Sequence, residues 1–137
     1  MQNKLIFKSN EQYKASLSNI NLWRAQVLDV LQRHDISKDI AQKLANNNLD
    51  ITAGFNSTYP VFLVDNLVVK FFGHRQNWQE VFSAECEAHE ILDKDNRICT
   101  PKILACGNLC EDKNKDASWS YIISTRISGN SWLNTKL

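Results

Sequence analysis

Apolar positions recur at helical spacing in the first third of the chain, where Trp23, Val27, Val30, Leu31 and His34 fall on one face. This is the i, i+3, i+4, i+7 signature of an amphipathic helix. With Asn19 or Asn21 as the N-cap, it predicts a helix from Asn21 to about His34 whose apolar stripe serves simple packing. A shorter helix is predicted to start at Ser37 as its cap, run through Ile40 and Leu44, and stop at Asn46-Asn47-Asn48. Residues up to Asn48 are therefore expected to be mostly helical.

The period then changes. Leu49 to Ala53 reads as a strand that Gly54-Phe55-Asn56-Ser57 interrupts. Tyr59 to Val64 is a second β-branched and aromatic run, and Asp65-Asn66 is a two-residue turn into Leu67-Val68-Val69-Lys70-Phe71-Phe72, which predicts a hairpin. Pro60 lacks a ladder donor, so its strand is expected near an edge or beginning just after it. From Trp78 to Leu92 helical spacing returns, with Val81, Phe82, Cys86, His89 and Leu92 on the apolar face, Glu80, Glu87 and Glu90 opposite, and Glu85 at the margin. Thr100-Pro101 closes the connector, and Lys102 to Cys106 and Ser118 to Ser124 read as two further strands around a polar loop, Glu111 to Asp116.

Composition narrows the classes that remain. Sixteen Lys+Arg against 15 Asp+Glu in 137 residues, with 43% hydrophobic residues, describes an ordinary folded chain with no basic footprint for nucleic acid. No apolar run approaches the roughly 18 residues needed to span a bilayer, and no export signal is visible, so a cytoplasmic location is expected. In that reducing setting Cys86, Cys99, Cys106 and Cys110 are expected as free thiols, and their spacing with the histidines offers no zinc site.

The chemistry centres on Lys70. A lysine at the end of an apolar strand must bring its ammonium to a partner, because an unpaired buried charge is costly. Glu85, on the helix that follows, is the natural candidate, with Glu87 and Glu90 as alternatives. Kinases use this arrangement: a strand lysine reaches the nucleotide phosphates, a helix glutamate holds it, and a loop between the first two strands covers the phosphates.

On these residues the chain resembles the aminoglycoside phosphotransferase and choline kinase group, from about residue 49 to residue 133. Gly54-Phe55-Asn56-Ser57-Thr58-Tyr59 resembles the phosphate-covering loop, Val68-Val69-Lys70 the lysine strand, and Glu85 to Leu92 the glutamate helix. Thr100 to Gly107 is similar to the next strand of the group, with its Pro-x-x-Leu-x-x-Gly pattern, and Trp119 to Gly129 to the last strand and hinge. The resemblance implies an α+β fold: a protein-kinase-like amino-terminal lobe at 49–137, with a five-stranded antiparallel sheet and one packed helix, ending just past the hinge and preceded by a helical extension at 1–48. It further implies that Lys70 binds the ATP phosphates and that Glu85 orients it. Gly54, Asn56, Ser57 and Thr58 would cover the terminal phosphates, Val61 and Val68 would cover the adenine, and backbone groups of Ser124, Thr125 and Arg126 would read its edge.

The group's general base, in a His-x-Asp loop with a downstream Asn, and its magnesium-binding Asp have no counterpart in this sequence. No catalytic or metal-binding residue is therefore assigned, and magnesium ligands are expected only in the second lobe. The resulting expectation is the ATP-binding lobe of a small-molecule kinase, truncated or one half of a split enzyme, and inactive alone. It would meet a separate carboxy-terminal lobe or self-associate through apolar surface around Tyr121 to Trp132. The alternative is a non-catalytic kinase-like interaction module.

Overall fold

The computed structural model describes residues 6–54, 58–95, 97, 100–109 and 119–126. The chain is α+β: four helices and a five-stranded antiparallel sheet among the described residues. Three helices come first, α1 (Asn10–Ser16), α2 (Ile20–Gln32) and α3 (Lys38–Ala45). The strands are β1 (Ile51–Ala53), β2 (Val61–Val64), β3 (Leu67–Phe72), β4 (Ile103–Asn108) and β5 (Ser120–Thr125), and α4 (Trp78–Asp93) separates β3 from β4.

The helix starts follow from capping side chains. Ser9, Asn19 and Ser37 accept the N–H groups of Gln12, Leu22 and Ile40, each satisfying a donor that the first turn leaves open. Of the two caps that sequence allowed for α2, Asn19 is the one used. β2 begins directly after Pro60 and lies inside the sheet, between β1 and β3, so the proline is kept out of the ladder. Asp65 takes a φ of 53° in the turn between β2 and β3, a conformation that Asp tolerates better than most residues.

The strand order is β1-β2-β3-β5-β4, which places β3 and β5 side by side at the centre. Alternation then sends side chains to two differently covered faces. Leu67, Val69 and Phe71 of β3, Phe62 and Val64 of β2, and Tyr121 and Ile123 of β5 form one core with Tyr13 of α1 and Trp23, Val27, Val30 and Leu31 of α2. Trp23 stacks on Phe71, their ring centroids 5.0 Å apart. The opposite face carries a smaller cluster, Tyr59, Phe72, Trp78 and Ile122, against which Phe82 and Cys86 of α4 pack. The helical extension thus shares its core with the sheet.

Two expectations are corrected. Of the stretch from Tyr121 to Trp132, expected to expose apolar surface, Tyr121 to Ser124 are buried, because β5 is an inner strand covered on both faces, while 127–132 lies outside the described residues. On α4, Val81 and Leu92 of the predicted apolar face are exposed and Trp78 is the deeply buried residue. The sheet contact is concentrated on Trp78, Phe82 and Cys86, towards the start and middle of the helix.

In the β4–β5 ladder Ile103 pairs with Ser124 and Ala105 with Ile123, which leaves Leu104 as the extra residue of a β-bulge. The bulge resets the alternation. Ile103 and Cys106, three apart in sequence, therefore both face α4, while Ala105 packs into the core beneath α2. No helix among the described residues is long and apolar enough to cross a membrane.

Candidate functional site

The register aligns one row of side chains across the α4 face: Val61 on β2, Lys70 on β3, Ile122 on β5 and Cys106 on β4. A second row, one ladder step away, is Leu63, Val68, Ser124 and Ile103. Directly opposed residues of antiparallel strands share a face, so Val61, Leu63, Val68 and Lys70 form one continuous surface. Leu63, Val61 and Val68 are only half-buried there.

α4 brings Glu85 over the Lys70 row. Lys70 Nζ donates to Glu85 Oε1 at 2.8 Å, and both side chains keep about a quarter of their surface in solvent, 26% and 28%. Glu87 and Glu90, the alternatives left open by sequence, are exposed. The ammonium also lies 5.0 Å from the ring centroid of Phe72, within range of a cation–π contact. An ammonium carries three N–H donors, so donors remain for an anionic ligand once Glu85 has taken one.

The remaining predicted residues divide into three groups. Gly54 lies directly after β1 and donates its N–H to Val61 O at 2.7 Å. A Cβ there would stand 2.9 Å from Val61 Cγ1, so the close approach of the two strands requires glycine. Thr58 is exposed, and its carbonyl accepts the Tyr13 hydroxyl at 2.6 Å. Asn56 and Ser57 lie outside the described residues. On β5, Ser124 belongs to the α4-facing row and is buried. Thr125 donates its N–H to Lys102 O at 2.9 Å, and Arg126 donates to Asn66 O at 2.9 Å. Both donors are engaged within the sheet, so an adenine edge would find no free N–H at either residue.

A cluster that sequence reasoning missed lies beside Thr58. Tyr13 stacks on His74 at 4.5 Å between ring centroids, and the Arg75 guanidinium carbon stands 5.2 Å from the Tyr13 ring centroid. Burial pushes the Tyr13 hydroxyl up to about 12, against the opposing pull of Arg75. Burial pushes the His74 imidazole down, and Arg75 adds to that. The available signal was local, since Ser9 and Gln12 form most of a capping box: Ser9 Oγ accepts Gln12 N–H, and Gln12 Oε1 accepts the N–H of Lys8. That box marks α1, and α1 carries Tyr13.

Among the described residues no group of three His, Cys, Asp or Glu side chains could hold a metal ion, so the described residues do not form a magnesium cage. A cavity of about 300 Å³ lies between α2 and α3, lined by Leu31, His34, Ile36, Ile40 and Leu44, on the far side of the sheet from Lys70. No protein-family model matches the chain, and no curated protein matches it.

Proposed function

We propose that this chain is a nucleotide-binding lobe of the small-molecule kinase type resembling the aminoglycoside phosphotransferases, in which Lys70 receives the phosphates of ATP. One observation carries the reading: the Lys70–Glu85 pair, at 2.8 Å, joins the third strand to the helix that follows it. In kinases the third-strand lysine and the helix glutamate form this ion pair to hold the phosphates. The open apolar surface of Val61, Leu63 and Val68 beside Lys70 suits the flat face of an adenine, since nucleotide pockets are mostly apolar with a few fixed polar groups.

The chain's own residues bind and orient in this reading. Glu85 holds the ammonium in one place, and Lys70 neutralises phosphate charge. The sequence contains no His-x-Asp loop to act as base, so transfer of the γ-phosphoryl group is assigned to residues supplied from elsewhere.

The test is saturable binding of ATP to the full chain, followed by calorimetry. Lys70→Ala is expected to abolish binding while the circular dichroism spectrum stays unchanged. Glu85→Gln is expected to weaken it about tenfold, equivalent to roughly 1.4 kcal/mol. A folded wild-type chain that shows no saturable binding removes the reading.

A second reading, a non-catalytic interaction module, draws support from the sheet-engaged N–H groups of Thr125 and Arg126, where a kinase hinge would offer an adenine donor. It predicts no ATP binding and a stable complex with a protein partner.

A further inference from the structure

Cys86 and Cys106 come from the two layers that meet at the cluster of Tyr59, Phe72, Trp78 and Ile122. Cys86, on α4, packs against the cluster that contains Ile122. Cys106, on the edge strand β4, is the direct cross-strand partner of Ile122. Opposed residues of an antiparallel pair project to the same face, and the bulge at Leu104 is what turns Cys106 to the α4 side. Both thiols therefore lie in the layer between helix and sheet, where Cys106 is a side-chain hydrogen-bonding neighbour of Cys86. Both are free; Cys86 is half-buried and Cys106 is exposed. Burial pushes the Cys86 thiol up, and the Cys106 thiol and the Glu85 carboxylate push it the same way, as expected of close neighbours.

We propose that Cys86 and Cys106 form a redox-responsive pair whose disulfide ties α4 to the edge of the sheet. The oxidant is a low-molecular-weight disulfide such as oxidised glutathione. The exposed Cys106, as thiolate, attacks one sulfur of the oxidant, forms a mixed disulfide and releases one small thiol. Cys86, deprotonated, then attacks the Cys106 sulfur and releases the second. Two protein thiols are oxidised to one disulfide, and one small disulfide is reduced to two thiols.

The position gives the bond a consequence. Cys86 directly follows Glu85, and Cys106 lies in the same cross-sheet row as Lys70. A bond at Cys86 fixes the helix turn that holds the Lys70 ammonium, so oxidation controls how freely that pair can rearrange. The effect on nucleotide affinity rests on the proposed ATP reading; the disulfide does not.

The test uses the full chain carrying Cys99→Ser and Cys110→Ser, so that neither of those thiols competes. The protein is equilibrated in glutathione buffers from reducing to oxidising, quenched with an alkylating reagent and mapped by mass spectrometry. The expected product is a Cys86–Cys106 linked peptide lacking two hydrogens, absent after Cys86→Ser or Cys106→Ser. Amide hydrogen exchange over residues 82–90 is expected to slow roughly tenfold on oxidation, as local opening of the helix is suppressed. Free thiols at every buffer ratio, or a glutathione adduct on Cys106 that never resolves, overturns the proposal. A disulfide that leaves exchange in α4 unchanged overturns the claim that it restrains the helix. ATP affinity is measured separately on the reduced chain, so a failure of nucleotide binding is read apart from a failure of the disulfide.

Discussion

At Lys70 a single charge is held between a carboxylate and an aromatic ring, at the edge of solvent. Exposed ion pairs contribute little, and burial raises both the gain and the cost of breaking one. The Lys70–Glu85 pair is intermediate, so a double-mutant cycle with Lys70→Met and Glu85→Gln is expected to give a coupling of about 1 kcal/mol. A coupling indistinguishable from zero in denaturant titration would mean that the pair does not restrain α4. His74 provides a pH test. Its folded pKa lies below the ordinary 6.5 because of burial and Arg75. As pH falls through 6.5 the unfolded chain takes up the proton first, so this contribution is present above that value and is lost towards the lower folded value. Stability is therefore expected to drop as the pH falls below about 6.5. His74→Asn, which tolerates the φ of 63° there, is expected to drop less over the same range. Equal slopes in the two proteins would show that His74 is not the titrating group. The Lys70–Glu85 pair was legible in sequence at this scale because it is local to one strand and the helix that follows. Lys70 needed a partner, and the following helix offered Glu85 with Glu87 and Glu90 as alternatives, whereas the stacking of Tyr13 on His74 joins residues 61 positions apart and leaves no periodic trace.

Among the elements, those with a strong period were readable and those with a thin apolar content were not. α2 and α3 were predicted within a few residues of their observed ends because Trp23, Val27 and Val30, and Ile40 and Leu44, set the 3.6-residue repeat between recognisable caps. α1, seven residues long with Tyr13 and Ser16 as its buried positions, offers no repeat to find. On α4 the spacing identified the helix but overstated its buried face, because the sheet covers it from Trp78 to Cys86 and leaves Ile91 and Leu92 in solvent. The caps make a direct test. Asn19→Ala and Ser37→Ala are each expected to cost about 1 kcal/mol in chemical denaturation. Values within error of zero would mean that tertiary packing alone fixes the starts of α2 and α3. Gly54→Ala tests the loop entry: its Cβ would meet Val61 backbone and side chain, and the melting temperature is expected to fall.

For the molecule as a whole, the shared core between the three amino-terminal helices and the sheet predicts one unfolding unit. Trp23→Ala removes the indole packed on Phe71 and Phe62 and is expected to cost about 3–5 kcal/mol. Tryptophan fluorescence and far-ultraviolet circular dichroism are expected to report the same midpoint in the wild-type chain. Two separated transitions would show that the helices detach before the sheet melts. The sequence marked the helical segment and the strands as neighbours in order, but which sheet face the helices cover depends on pairing between distant strands, and that is not written in any local pattern. The bulge in β4 bears on how the molecule behaves in company. An open sheet has two outer strands with unpaired backbone groups, each a template on which another chain can add. Here one of them, β1, has only three residues, and the other, β4, is bent by the extra residue at Leu104. Brevity on one side and irregularity on the other deny a second molecule a long straight edge to pair with. Deleting Leu104 would straighten the six-residue strand and restore that edge, so the deletion variant is expected to sediment as larger, concentration-dependent species than the parent chain.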